Sequence, residues 1–205
     1  MNRQTQTVLW TSGAALAGAV GWMGWRLLKE KTSEGPRYRV LAEKEGLELR
    51  QYLPSLVAVT DVEGSFAESL NTGFHRLAGY IFGGNRRGQS IAMTVPVGLQ
   101  RRGNLRRMTF VMPAGFSLEA LPAPRDARVR LESVPPKRVA VRRFSGHASE
   151  ARTRAEEARL IEDLKRQGLR PLGEPVLAQY NSPMVPPFLR HNEILIDVEP
   201  IAPVH

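Results

Sequence analysis

The sequence predicts an α+β domain in which two similar ββαββ-like halves form one barrel-like antiparallel sheet against two helices, behind an N-terminal transmembrane helix. Three observations carry this. Eighteen consecutive residues near the N-terminus are uncharged, strand and helix patterns recur twice in the same order, and a short motif returns 82 residues later. That motif is Val57-Ala58-Val59 with Gly64 and Glu68, repeated as Val139-Ala140-Val141 with Gly146 and Glu150. Neither predicted helix can bury its apolar face alone, so both are expected to close on a shared sheet.

Composition bounds the chemistry. The 205 residues include no cysteine, which excludes disulfides, thiolate metal sites and thiol catalysis. The net charge of +9 rests mostly on arginine and points to anionic partners: phosphates, lipid headgroups or carboxylated ligands. The arginine pairs lack interleaved stacking aromatics, so no specific nucleic-acid partner is expected.

The chain divides into a membrane anchor or signal segment (1–28), a polar tether (29–37), a folded domain (38–200) and a tail (201–205). Residues 8–25, VLWTSGAALAGAVGWMGW, would form roughly 27 Å of helix, close to the hydrocarbon thickness of a bilayer. An uncleaved single-pass anchor is expected over a cleaved signal, because cleavage after Ala17 would strand apolar residues on the mature chain. Arg26, Lys29, Lys31, Arg37 and Arg39 follow the segment and favour the cytoplasmic face for the domain.

In the first half, strands are predicted at 38–42, 47–52 and 56–62. Ser65 and Glu68 then form a capping box, and Phe66, Leu70, Phe74, Leu77 and Ile81 follow at helical spacing until Gly83-Gly84. Strands at 90–97 and 107–112 complete the half, across a turn at Gly103-Asn104. In the second half, strands at 128–134 and 137–144 precede a helix over 149–167, whose buried stripe is read as Ala151, Ala155, Ala158, Ile161 and Leu164. Gly168 is its expected C′ residue, and strands at 175–180 and 192–198 close the unit.

Five ordered phrases then make the chain resemble the SOUL/haem-binding protein family: Tyr80-Ile81-x-Gly83-x-Asn85; Met93-Thr94-x-Pro96-Val97; Phe110-Val111-Met112-Pro113; Phe144-Ser145-Gly146; and Tyr180-Asn181-x-Pro183 followed by Arg190-x-Asn192-Glu193. The resemblance implies a distorted antiparallel β-barrel flanked by two helices, related to bacterial effector-binding domains, and a tetrapyrrole ligand, usually haem. Two positions depart from the family pattern. Met184 stands where an aromatic residue is usual, and His191 where the phrase usually has a second arginine.

Haem needs an apolar groove, cations for its propionates and, for iron ligation, a residue such as His or Met. His75 projects opposite the apolar stripe of the first helix, near Phe82, and is the candidate iron ligand, with a solvated surface histidine as the plainer reading. Arg86 and Arg87 follow that helix as propionate partners; Met184 in a proline-rich loop is an apolar wall, and Arg190 completes the set. Without cysteine any haem would be held non-covalently. The arginine pairs 86–87, 101–102, 106–107 and 142–143 are read as solvated or facing anionic lipid.

No catalytic set emerges, so the expected function is membrane-anchored, noncatalytic binding of a tetrapyrrole for buffering, transfer or sensing. The alternative is an effector- or protein-interaction module on the same scaffold. An enzymatic reading would need Glu193 and a nearby tyrosine in a pocket that raises the carboxyl pKa.

Overall fold

The computed structural model describes residues 34–199. Strands β1 (Tyr38–Lys44), β2 (Leu47–Tyr52) and β3 (Ser55–Val62) lead into helix α1 (Phe66–Ile81), followed by β4 (Val97–Arg102) and β5 (Leu105–Val111). Strands β6 (Arg130–Val134) and β7 (Lys137–Ser145) then precede helix α2 (Glu150–Arg166), β8 (Pro171–Gln179) and β9 (His191–Val198). The expected transmembrane segment lies outside the described residues, and no described helix is long and apolar enough to cross a membrane.

All described strands join one antiparallel sheet in the order β1-β2-β7-β9-β8-β4-β5-β3-β6. Leaving β1 aside, this order maps onto itself when β2, β3, β4 and β5 exchange places with β6, β7, β8 and β9. The first strand of each half pairs with the second strand of the other, β2 with β7 and β6 with β3. The repeated motifs occupy matching places: Ala58 and Ala140 are fully buried, and Gly64 and Gly146 both take positive φ just before a helix.

The closed barrel expected from the sequence is corrected to an open sheet, ending at β1 and β6. The two edge strands do not meet: β1, exposed along its whole length, bonds to β2 alone, and β6 bonds to β3 alone. The strand expected at 90–97 is also corrected, since β4 starts only at Val97. Pro96 has no N–H to donate, and Val95 N donates instead to Glu34 O, outside the sheet.

Helix α1 begins with both bonds of its capping box in place, Ser65 with Glu68. It buries Leu77, Ala78, Tyr80 and Ile81 against Ala58, Leu99, Met108 and Phe110 of the sheet. At its other end Asn85, fully buried, donates from Nδ2 to Tyr80 O (3.1 Å) and Gln89 O (2.7 Å) and accepts from two backbone N–H groups. The phrase from Tyr80 to Asn85 is therefore a lock on the helix terminus.

Helix α2 meets the sheet with a different face from the one its alanines suggest. Ala151, Ala155 and Ala158 are exposed, whereas Thr153, Glu156, Leu160, Asp163 and Leu164 are buried. Arg142 of β7 causes the rotation, reaching Glu156 at 3.2 Å and Asp163 at 2.7 Å. Leu160 and Leu164 still join Leu47, Leu49, Phe144, Leu177 and Ile194 in an apolar cluster. Gly168, with φ +65°, follows the helix as expected.

Candidate functional site

Because Leu47 and Leu49 face α2, alternation sends Glu48, Arg50 and Tyr52 to the other face of the sheet. There Arg50, fully buried, makes a two-pronged pair with Glu193 at 2.8 and 3.0 Å and donates from Nε to Glu48 at 2.9 Å. Tyr180 Oη donates to Glu193 at 2.6 Å, and Arg143 bridges Glu193 (3.1 Å) and Glu48 (3.0 Å). His191 stacks on Tyr180 with ring centroids 4.4 Å apart and lies 3.0 Å from the Glu193 carboxylate. Tyr38 covers the Arg50 guanidinium at 4.3 Å.

Burial alone would raise the Glu193 carboxyl, but hydrogen bonds from His191, Arg50 and Tyr180 hold it down to about 2. Burial pushes the Tyr52 hydroxyl up to about 12 and raises Tyr180 as well. Glu193 is therefore a buried, ionised acceptor with its partners already supplied. This is the reverse of the raised carboxyl that the enzymatic reading required.

A different surface lies along the outer side of α1. Asn71, Thr72, His75, Arg76 and Gly79 of the helix, with Arg125, Asp126 and Arg128 opposite, line an open groove of about 630 Å³. A side chain at Gly79 would meet nothing within 4 Å, so its bare backbone leaves the groove floor open. Arg76 is tied back to Asp61 O at 3.2 Å, and Arg128 is paired with Asp126 at 2.7 Å. Arg125 has no ion pair among the described residues. It donates its backbone N–H to Gly84 O, which joins its loop to the end of α1.

The six residues singled out from the sequence fall into two groups. His75 lines the groove, while Phe82, 64% exposed, Arg86 and Arg87 follow the same helix. Arg86 N donates to Ala123 O, and Arg87 Nη1 to Ala120 O at 3.1 Å. Met184 and Arg190 belong instead to the β8–β9 loop, where Arg190 contacts Val185 O, Pro183 O and His147. No hydrogen bond or ion pair joins these two groups among the described residues. The remaining arginine doublets are largely engaged within the fold: Arg101 with Glu174, Arg106 with Glu150, Arg107 with Asp61, and Arg142 and Arg143 as above.

Sequence reasoning missed Arg50 and Arg125. The first had a visible signal, since Glu48, Arg50 and Tyr52 alternate as a polar face within a strand whose other face is leucine. Arg125 had none, because only the folding of its loop against α1 brings it opposite His75.

A family model described as SOUL heme-binding protein matches residues 33–197. No curated protein matches the sequence. Among solved structures, the EcmrR C-terminal domain is similar at a TM-score of 0.58 and 11% identity, over 80% of this chain and 99% of that one. A protein described as a hydrolase from Listeria innocua aligns at a TM-score of 0.54 and 14% identity, over 78% and 94%. An uncharacterized conserved protein from the same organism aligns at 0.55 and 14%, over 77% and 94%. At such identities these likenesses describe the fold alone.

Proposed function

The chain belongs to the SOUL heme-binding protein family, and from that premise we propose that it binds haem or a related tetrapyrrole, non-covalently and without catalysis, in the groove beside α1. The observation that carries this reading is His75 in an open groove beside three arginines, over the bare backbone of Gly79. Of what haem requires, the groove offers an exposed imidazole for iron, an uncovered glycine backbone for a planar ring and Arg125 for a carboxylate, while Asn71, Thr72, Arg76, Asp126 and Arg128 give it a polar lining where the ring takes apolar contact. The groove volume also falls within the range of small-molecule sites.

His75 is the proposed iron ligand, and Arg125, with Arg86 and Arg87 nearby, meets the propionates. When bound, the haem supplies the iron and the ring; the chain supplies enclosure, orientation and charge. We further propose that residues 8–25 hold the domain at a membrane, on the cytoplasmic side favoured by the basic residues that follow them.

Haemin titration of the full chain, followed through the Soret band, tests the ligand. A saturable shift at micromolar haemin, altered in His75→Ala, is the expected result. Absence of saturation at those concentrations overturns the haem reading and leaves a module for another effector on the same scaffold.

A further inference from the structure

Among the described residues, the most exposed large apolar side chains outside the groove and its flank gather on the loop between β8 and β9. Phe188 is 76% exposed, Met184 66% and Leu189 53%, within the stretch SPMVPPFLR. The loop is a braced frame. Val185 is buried beneath it, Arg190 holds Val185 O at 2.7 Å and Pro183 O at 2.5 Å, and Leu189 N closes a short turn onto Pro186 O. Prolines 183, 186 and 187 restrict the backbone further. The three side chains are thus held outward on a fixed support, the arrangement of a contact surface rather than of a missing core.

The place of this loop in the sheet indicates what it meets. Gln179, at the end of β8, pairs with Val97, and Val95 just before it donates to Glu34 O at 2.9 Å. The Glu34 carboxylate also accepts from Ala114 N at 2.8 Å. The tether therefore joins the domain at the same end of the sheet from which the apolar loop departs, with Met93, 37% exposed, in the adjoining segment. Between the uncharged stretch and Glu34 lie only residues 26–33, which span at most roughly 28 Å and carry Arg26, Lys29 and Lys31.

We propose that the 182–189 loop enters the headgroup region of an anionic bilayer, with Phe188, Leu189 and Met184 in the apolar boundary and the basic tether against the phosphates. Burial of apolar side chains combined with basic charge is what interfacial binding requires. The proposal rests on the membrane anchoring proposed above. Its consequence is a domain held in one orientation by two contacts, tether and loop.

The absence of cysteine permits a direct test. The full chain bearing Phe188→Cys or Met184→Cys is labelled with an environment-sensitive fluorophore and reconstituted into phosphatidylcholine–phosphatidylglycerol vesicles. The control label is Asn104→Cys, in the exposed β4–β5 turn at the opposite end of β4. The expected result is co-flotation with the vesicles, a blue-shifted emission at 188 and 184, and iodide quenching several-fold below that at 104. A chain that floats with all three labels equally quenched overturns the loop contact and leaves the anchor standing. A chain that does not float overturns both. Protection that appears in detergent without lipid and grows with protein concentration assigns the loop to a second copy, and a label that responds to haemin but not to vesicles assigns it to the ligand; either result overturns the lipid proposal.

Discussion

Arg50 and Arg125 carry the same guanidinium in opposite circumstances. Arg50 has no exposed surface and spends its donors on Glu193, Glu48 and Tyr52, while Arg125 stands exposed at the rim of a groove with no ion pair among the described residues. The two carboxylates around Arg50 are matched by Arg50 and Arg143, so the network is closed in charge. The lesson is that the number of ionisable groups at a place does not mark a binding site. What marks it is unspent hydrogen-bonding capacity facing open space.

This contrast breaks if substitutions in the buried network leave stability intact, and there the largest effect is expected. Arg50→Ala leaves Glu193 and Glu48 without their main donor, at a cost of about 3–5 kcal/mol in urea unfolding. The double variant with Glu193→Ala should cost less than the sum of the two singles, because the second substitution removes the charge that the first stranded. Haemin affinity in the fraction that remains folded should be unchanged.

Acid provides the next test. Glu193 titrates at about 2 in the folded chain, against an ordinary value of 4.5, so the unfolded chain takes up its proton first. Stability from this group is therefore fully present above the ordinary carboxylate range and is lost as pH falls from about 4.5 towards 2. Asp61, held to about 2 chiefly by Arg107, behaves in the same sense. Urea midpoints measured between about pH 5 and about pH 3 should fall with acid in the parent chain, and less steeply in Glu193→Gln. An equal slope in both would detach Glu193 from the acid response.

Most of the elements were legible because local patterning specifies them. Alternation gave β2, β3, β7 and β9, and the capping box at Ser65 gave the start of α1. What was not legible depends on partners distant in sequence. Arg50 and Glu193 lie 143 residues apart, and their pairing exists only because β7 intervenes between β2 and β9. The face that α2 buries was misread for a related reason: alanine spacing suggested one stripe, but two carboxylates drawn to Arg142 decide the rotation. Local sequence could not foresee the open edge either, since β1 has the pattern of a strand yet lies exposed along its length, with Tyr38 alone laid over Arg50 and Tyr52. Beside α1, the outward position of His75 was legible from helical spacing, while the arginines across the groove from it come from another segment.

The groove provides the smaller effects, in binding rather than stability. His75 is exposed and meets only the Phe74 ring edge-on, so His75→Ala should leave unfolding within about 0.5 kcal/mol of the parent. If its imidazole ligates iron, the same change should shift the Soret maximum and weaken haemin about tenfold, which is roughly 1.4 kcal/mol. Arg125→Ala should do less, about threefold or roughly 0.7 kcal/mol, because an exposed charge pair is screened by solvent. It should also leave the Soret position where it was, since a propionate partner acts on affinity and not on the iron. That separation would sharpen the contrast between the two arginines, with Arg50 bearing on whether the chain folds and Arg125 only on how tightly the folded chain holds the proposed anionic ligand. A spectrum and an affinity untouched by both His75→Ala and Arg125→Ala would show that the iron is held elsewhere and that the groove beside α1 is not its site.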